Sequence, residues 1–294
     1  MPDSKTVPPR IALLQILLCA VWGLGQIATK IGLEGISPLF QAGLRSVGAT
    51  LLILIWIGLR RIPMNWRDGN GWLGLGIGVI FAMEFVCLYQ GLVHTGAARA
   101  TLLLYTAPFF VAIGAHWLIP DDRLTLPKLA GLLLAFTGVL IAFYDRLGAP
   151  NPTALLGDFL CLAAAFFWAA TTVMVKATRL RSVVPEKTLL YQLAVSSVVL
   201  LIGAMLFGES GIFNNTSRVW LAFAYQTLFI ASISYLTWFF LIQRFRASAL
   251  ASFTFLTPVF GVVFSWLLLG EPITLSIVLA MMLIAGGIVL VNRA

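Results

Sequence analysis

The sequence predicts an all-α polytopic membrane protein with ten transmembrane helices arranged as two inverted five-helix repeats. Three observations lead there. Apolar runs of about twenty residues recur along the whole chain, each long enough to cross the hydrocarbon core as a helix. The second half replays the first about 147 residues later, most clearly as Trp22-x7-Lys30 against Trp168-x7-Lys176. Finally, the cations are sided: fourteen lysines and arginines fall on one side of a ten-span arrangement, against Lys30, Arg99, Arg146 and Arg218 on the other.

Composition excludes a soluble monomer, because 60% of residues are apolar, 10% are charged and the mean hydropathy is +0.99. The net charge of +8 is a topology signal and does not point to nucleic acid. Lysine and arginine accumulate on the cytoplasmic side of membrane proteins, so both termini are expected in the cytoplasm, as an even number of spans requires. The partners expected are the lipid bilayer and a small-molecule substrate; one chain suffices for a pathway, as a monomer or a weak homodimer.

The spans are expected near residues 10–33, 37–59, 70–91, 97–118, 127–144, 155–177, 187–207, 218–240, 247–269 and 274–291. The first lacks a small-residue cleavage signal and is expected to be retained. Pro38 precedes the second. Gly71, Gly74 and Gly78 share a face of the third, and Gly131, Ala135 and Gly138 share a face of the fifth, patterns that let helix backbones approach. Pro108 and Pro258, near the middle of the fourth and ninth spans, cannot donate to the carbonyls of Leu104 and Thr254 and predict kinks or hinges. Carbonyls freed in lipid need protein or water beside them, so the kinks belong next to a cavity. A polar stretch rich in proline and glycine between Tyr144 and Leu155 marks the seam, giving a first repeat at 1–148 and a second at 149–294 that together form one transport domain. Five spans per half force the second copy to enter the membrane from the opposite side.

Further internal matches keep the same order. Gln41 and Arg45 after Pro38 correspond to Thr188 and Gln192 after Pro185, and Tyr105-Thr106-Ala107-Pro108 corresponds to Phe255-Leu256-Thr257-Pro258. With the mid-helix tryptophan and downstream lysine that open each half, these prolines and Leu269-Gly270-Glu271 at the end of the ninth span carry a resemblance. The chain resembles the drug/metabolite transporter superfamily, in its ten-helix EamA-like branch, and looks most like bacterial exporters of aromatic amino acids and related metabolites. The resemblance covers nearly the whole chain. It implies export of small amphipathic metabolites across the bacterial inner membrane by alternating access. The first half departs from the pattern at Pro120-Asp121-Asp122, where the second has Gly270-Glu271-Pro272.

Candidate site residues follow from depth. Trp22 and Trp168 lie about twelve residues into their spans, roughly 18 Å from the end, too deep for the interfacial belt that explains Trp66, Trp72, Trp117 and Trp220. Helical spacing places Trp22, Gln26 and Lys30 on one stripe and Trp168, Thr172 and Lys176 on its counterpart, and a polar stripe should face the bundle interior. Tyr89, Tyr105 and Trp238 add aromatic surface with polar handles for a planar or apolar solute. Arg45 and Glu84 both fall roughly 10 Å below the outer surface and are expected to approach each other as a charged pair that gates the pathway or carries a proton.

Catalysis is not expected. His94 and His116 stand far apart in sequence, Cys19, Cys87 and Cys161 lie inside spans, and neither a metal cluster nor a phosphate-binding loop is present in the sequence. No cofactor is therefore expected. A carrier of nucleotide sugars or phosphorylated metabolites is the alternative within transport, weakened because phosphate calls for several interior cations.

Overall fold

A computed structural model describes residues 7–95, 97–144, 154–269 and 275–294. Three continuous helices come first: α1 (Pro9–Gly32), α2 (Pro38–Arg60) and α3 (Gly71–His94). The fourth crossing is divided into α4 (Ala97–Leu104) and α5 (Ala107–Leu118), and α6 (Leu126–Phe143) completes the first half. The second half opens with α7 (Ala154–Ala177) and α8 (Pro185–Leu206). Its eighth crossing runs through α9 (Ser217–Tyr225), a π-helical segment at Gln226–Ser234 and α10 (Tyr235–Arg244). The ninth is again divided, into α11 (Ala247–Phe253) and α12 (Leu256–Leu269), and α13 (Leu275–Arg293) is the tenth. The fold is thus ten crossings in two five-helix halves of opposite entry. The seam at 145–153, Gly270–Pro272 and the side chain of Arg99 lie outside the described residues.

Proline explains both divided crossings. Pro108 stands at the start of α5 and Pro258 near the start of α12, where the missing N–H removes one rung of the ladder. Carbonyls beside the breaks find local donors: the Thr106 hydroxyl donates to the carbonyl of Leu103 at 2.6 Å, the Thr254 hydroxyl to that of Ala251 at 2.7 Å, and the Thr257 N–H to that of Thr254 at 2.9 Å.

The two halves interleave. Helix α1 packs on α12 as α7 packs on α5, α3 packs on α7 as α9 and the π-helical segment pack on α1, α2 crosses α8, and α6 lies along α13. Every one of these large contacts joins one half to the other, and each has a counterpart with the halves exchanged. Glycine permits the closest approach, since a Cβ on Gly131 would lie 2.7 Å from the carbonyl oxygen of Gly287. On helix α3, Gly74 and Gly78 meet Tyr191 and Val195 of α8, whereas Gly71 faces open space one turn too early to be covered.

Connections differ between the two faces. On the face where α1 ends, residues 33–37 are held against 208–214 by the bridge between Ile36 and Ile212 and by the Ser37 N–H donating to the Gly211 carbonyl at 2.8 Å. Both oxygens of Glu209 accept from the amides of Leu39 and Phe40, each at 2.9 Å, capping α2. On the opposite, basic face, Lys187 pairs with Asp68 at 2.7 Å and Lys128 with Asp122 at 2.7 Å. Asp122 also accepts from the amide of Ser248 at 2.8 Å, tying the two halves together. The hydrogen bond from Lys187 is the main reason the Asp68 carboxyl, outside the membrane, is lowered from 3.8 to about 2.

Candidate functional site

Two hollows open in the molecule. The larger, about 1160 Å³, lies on the basic face between residues 63–73 and 176–187, and Asn65, Asp68, Lys176, Arg179 and Lys187 are among its walls. The smaller, about 200 Å³, sits midway along the helices and is lined by residues of both halves. Aromatic surface and buried polar groups concentrate in the second, which is the candidate site.

Three tryptophans shape it. Trp22, at the middle of α1, and Trp168, at the middle of α7, line the cavity together with Trp238 of α10. Trp22 meets Trp238 edge to face at 5.5 Å between ring centroids, and Trp168 meets Tyr105 in the same way at 6.0 Å. Edge-to-face contacts leave ring faces free for a solute. The Trp22 indole N–H donates to the Ser234 hydroxyl at 2.8 Å, so this polar handle is satisfied by the π-helical segment. Wider turns in that segment also bring Ile230 to the cavity wall. The amide of Gln26 donates to the Tyr105 hydroxyl at 3.1 Å, joining α1 to the break before α5.

Thr172 also lines the cavity, its hydroxyl donating back to the carbonyl of Trp168 at 3.2 Å. Arg45 and Glu84 face the same space. Arg45 is 4% exposed, its guanidinium lies 4.6 Å over the ring of Phe85, and its Nε and Nη2 have no hydrogen-bond partner. No ion pair joins Arg45 to Glu84 among the described residues. Both line the one cavity.

Other candidates lie apart. Tyr89 is buried one turn beyond Phe85, against which its ring is tilted at 6.1 Å, and it is not part of the cavity wall. Pro108 and Pro258 stand beside the cavity, which takes Tyr105 and Thr257 from their breaks. Lys30 is exposed at the end of α1. Lys176 is buried at the larger hollow and donates to the Gln243 carbonyl at 3.2 Å. Thr171, Gln192 and Tyr235 line the cavity without having been singled out as site residues. Gln192 carried a signal, since it is the repeat counterpart of Arg45. The described residues hold no group of histidine, cysteine and acidic side chains able to bind a metal, and the three cysteines are free and buried.

Comparison with known proteins meets this geometry. The EamA-like transporter family matches at residues 10–144 and 155–293, one copy in each half. The uncharacterized transporter YvbV of Bacillus subtilis is 31% identical over 287 residues, covering 96% of this chain and 92% of its own length. A protein named probable amino-acid metabolite efflux pump is 28% identical in Escherichia coli, over 89% of this chain and 87% of that one. Its namesake in Salmonella typhimurium is 29% identical, over 93% and 92%. A protein of known crystal structure shares the fold with a TM-score of 0.83 at 19% identity, covering 95% of this chain and 96% of that chain. With a family match in each half and a solute-sized hollow where the halves meet, this chain belongs to the EamA-like transporters of the drug/metabolite transporter superfamily, and it is a membrane transporter and not an enzyme.

Proposed function

We propose that the protein exports small amphipathic metabolites, foremost aromatic and hydrophobic amino acids, by alternating access of the central cavity. The carrying observation is the ring of Trp22, Trp168 and Trp238 around a hollow built from both halves. Its volume of about 200 Å³ falls below the roughly 300–1,000 Å³ of sites for drug-sized ligands, which suits a metabolite the size of an amino acid. Arg45 is the one cation in its wall, too few for a phosphorylated solute.

Export is inferred from the resemblance to efflux pumps, and orientation in the membrane from sidedness. The accumulation of lysine and arginine supports a basic face turned to the cytoplasm of the bacterial inner membrane, with both termini on that side. On this reading the basin at Asn65, Lys176 and Lys187 is the cytoplasmic vestibule, and the joined segments 33–37 and 208–214 close the outer mouth. Each repeat would rock against the other to reverse the arrangement.

Uptake of labelled phenylalanine into proteoliposomes containing only this protein tests the reading. Trp22→Ala and Trp168→Ala are expected to lower transport at least about tenfold, the loss of a buried aromatic contact being of that order. Activity indifferent to both substitutions, in variants that elute as the parent protein does, would return the indoles to a packing role.

A further inference from the structure

We propose that the central cavity recognises its solute as a zwitterion, Arg45 taking a carboxylate and Glu84 an α-ammonium group, with the side chain lying against the tryptophans. The inference rests on the transport reading and names the substrate class within it.

Charge complementarity comes first. Among the residues of the cavity wall there is one cation, Arg45, and one carboxylate, Glu84. They come from adjacent helices of the first half, α2 and α3. Among the described residues no ion pair joins them. A guanidinium and a carboxylate at this depth would ordinarily close on each other, because unpaired charge inside a membrane is costly. Here Phe85 fixes the guanidinium plane from one side by a cation–π contact at 4.6 Å. Nε and Nη2 of the guanidinium have no hydrogen-bond partner in the protein.

Orphaned polar atoms are the second, independent observation. Nε and Nη2 of Arg45, Oε1 of Gln192 and Oγ1 of Thr171 are all buried without a partner, and all three residues line the cavity. Buried polar atoms are nearly always bonded, so a cluster of unbonded ones around a hollow marks the place of a ligand or of the water it displaces. Arg45 offers two adjacent donors, the fork that fits a carboxylate. Gln192 and Thr171 offer acceptors, as does Glu84, which suits an ammonium group with three N–H bonds to give. Net charge also fits: a cavity with one charge of each sign takes a neutral dipolar solute without altering the balance, whereas a simple amine or a simple acid leaves one wall charge uncompensated.

Competition against labelled L-phenylalanine bound to the purified full-length protein tests this directly. Phenethylamine, which lacks the carboxylate, and 3-phenylpropionate, which lacks the ammonium, are expected to compete at least about tenfold more weakly than phenylalanine. Arg45→Gln should abolish the preference over phenethylamine while keeping that over phenylpropionate, and Glu84→Gln should do the reverse. Equal competition by all three compounds in the parent protein, which needs no variant to fold, would overturn the proposal while leaving an aromatic transporter in place. Failure of any aromatic compound to bind would instead sink the transport reading on which it rests. Loss of discrimination against both analogues in each variant would also overturn it, since the two groups would then act through the cavity shape and not through separate charges.

Discussion

Asp68 carries a pH signature that can be read outside the membrane. Its carboxyl is lowered from 3.8 to about 2, mainly by the hydrogen bond from Lys187. A depressed acid contributes stability in full above its unfolded value and loses it as pH falls through the folded one. Asp68→Asn should therefore lower the thermal unfolding midpoint at neutral pH, and the gap to the parent protein should close as pH falls from about 4 towards 2. A gap of constant size down to pH 2 would show that the carboxylate charge is irrelevant there. Other single residues differ in how openly the sequence displays them. Trp22 and Trp168 stand out because an indole so deep in an apolar run has no interfacial explanation. Arg45 and Glu84 stand out for the same reason. Thr171 and Tyr235 do not, because a threonine or tyrosine inside a span is equally at home against a neighbouring helix, and Gln192 shows only through its repeat relation to Arg45. Tyr89 shows the converse: its type fits a cavity, yet one further turn of α3 carries it past the wall.

Among the helices, the pairing of α6 with α13 depends on a few small residues. A Cβ on Gly287 would lie 2.5 Å from the carbonyl oxygen of Gly131 and 2.7 Å from the Cβ of Ala135. Backbone atoms cannot yield as a flexible side chain can, so Gly287→Ala should destabilise the protein by about 1–3 kcal/mol. Gly71→Ala, at a site with nothing within 4 Å, is the control and should be neutral or slightly stabilising. Thermal unfolding in detergent compares the two, and equal midpoints would discount the close contact. The small-residue stripe on α6 is visible in the sequence, as are the prolines that divide the fourth and ninth crossings. The π-helical segment at Gln226–Ser234 is not. Its wider turns follow from where the backbone is held by neighbours, with Ser232 donating to the carbonyl of Thr227 at 2.8 Å and Gln226 to that of Ala28 at 3.1 Å. Nothing in a run of apolar and small polar residues announces such a change of pitch.

Taken as one object, the protein is held by contacts between its halves, which hydropathy cannot reveal: apolar length tells which segments cross a membrane, not which neighbour each one meets. The repeat implies two similar bodies, yet α3 leans on α7 and α1 on α12 more than on members of their own half. The join between 33–37 and 208–214 offers a handle on this arrangement. Replacing Ile36 and Ile212, which face each other in the bridge, by cysteines should allow a disulfide across that mouth. Cys19, Cys87 and Cys161 are buried and should not compete. Oxidation is expected to cut transport at least about tenfold while leaving phenylalanine bound, with recovery on reduction; undiminished transport by the cross-linked protein would mean that this mouth never opens. The exchange of contacts between halves has a last consequence. Because each large contact has a counterpart with the halves exchanged, the alternating access proposed above would find a template for the reversed form within the chain itself. Letting the first half adopt the posture of the second, and the second that of the first, would seal the basic mouth and unseal the other, with no interface that the molecule does not already know how to make.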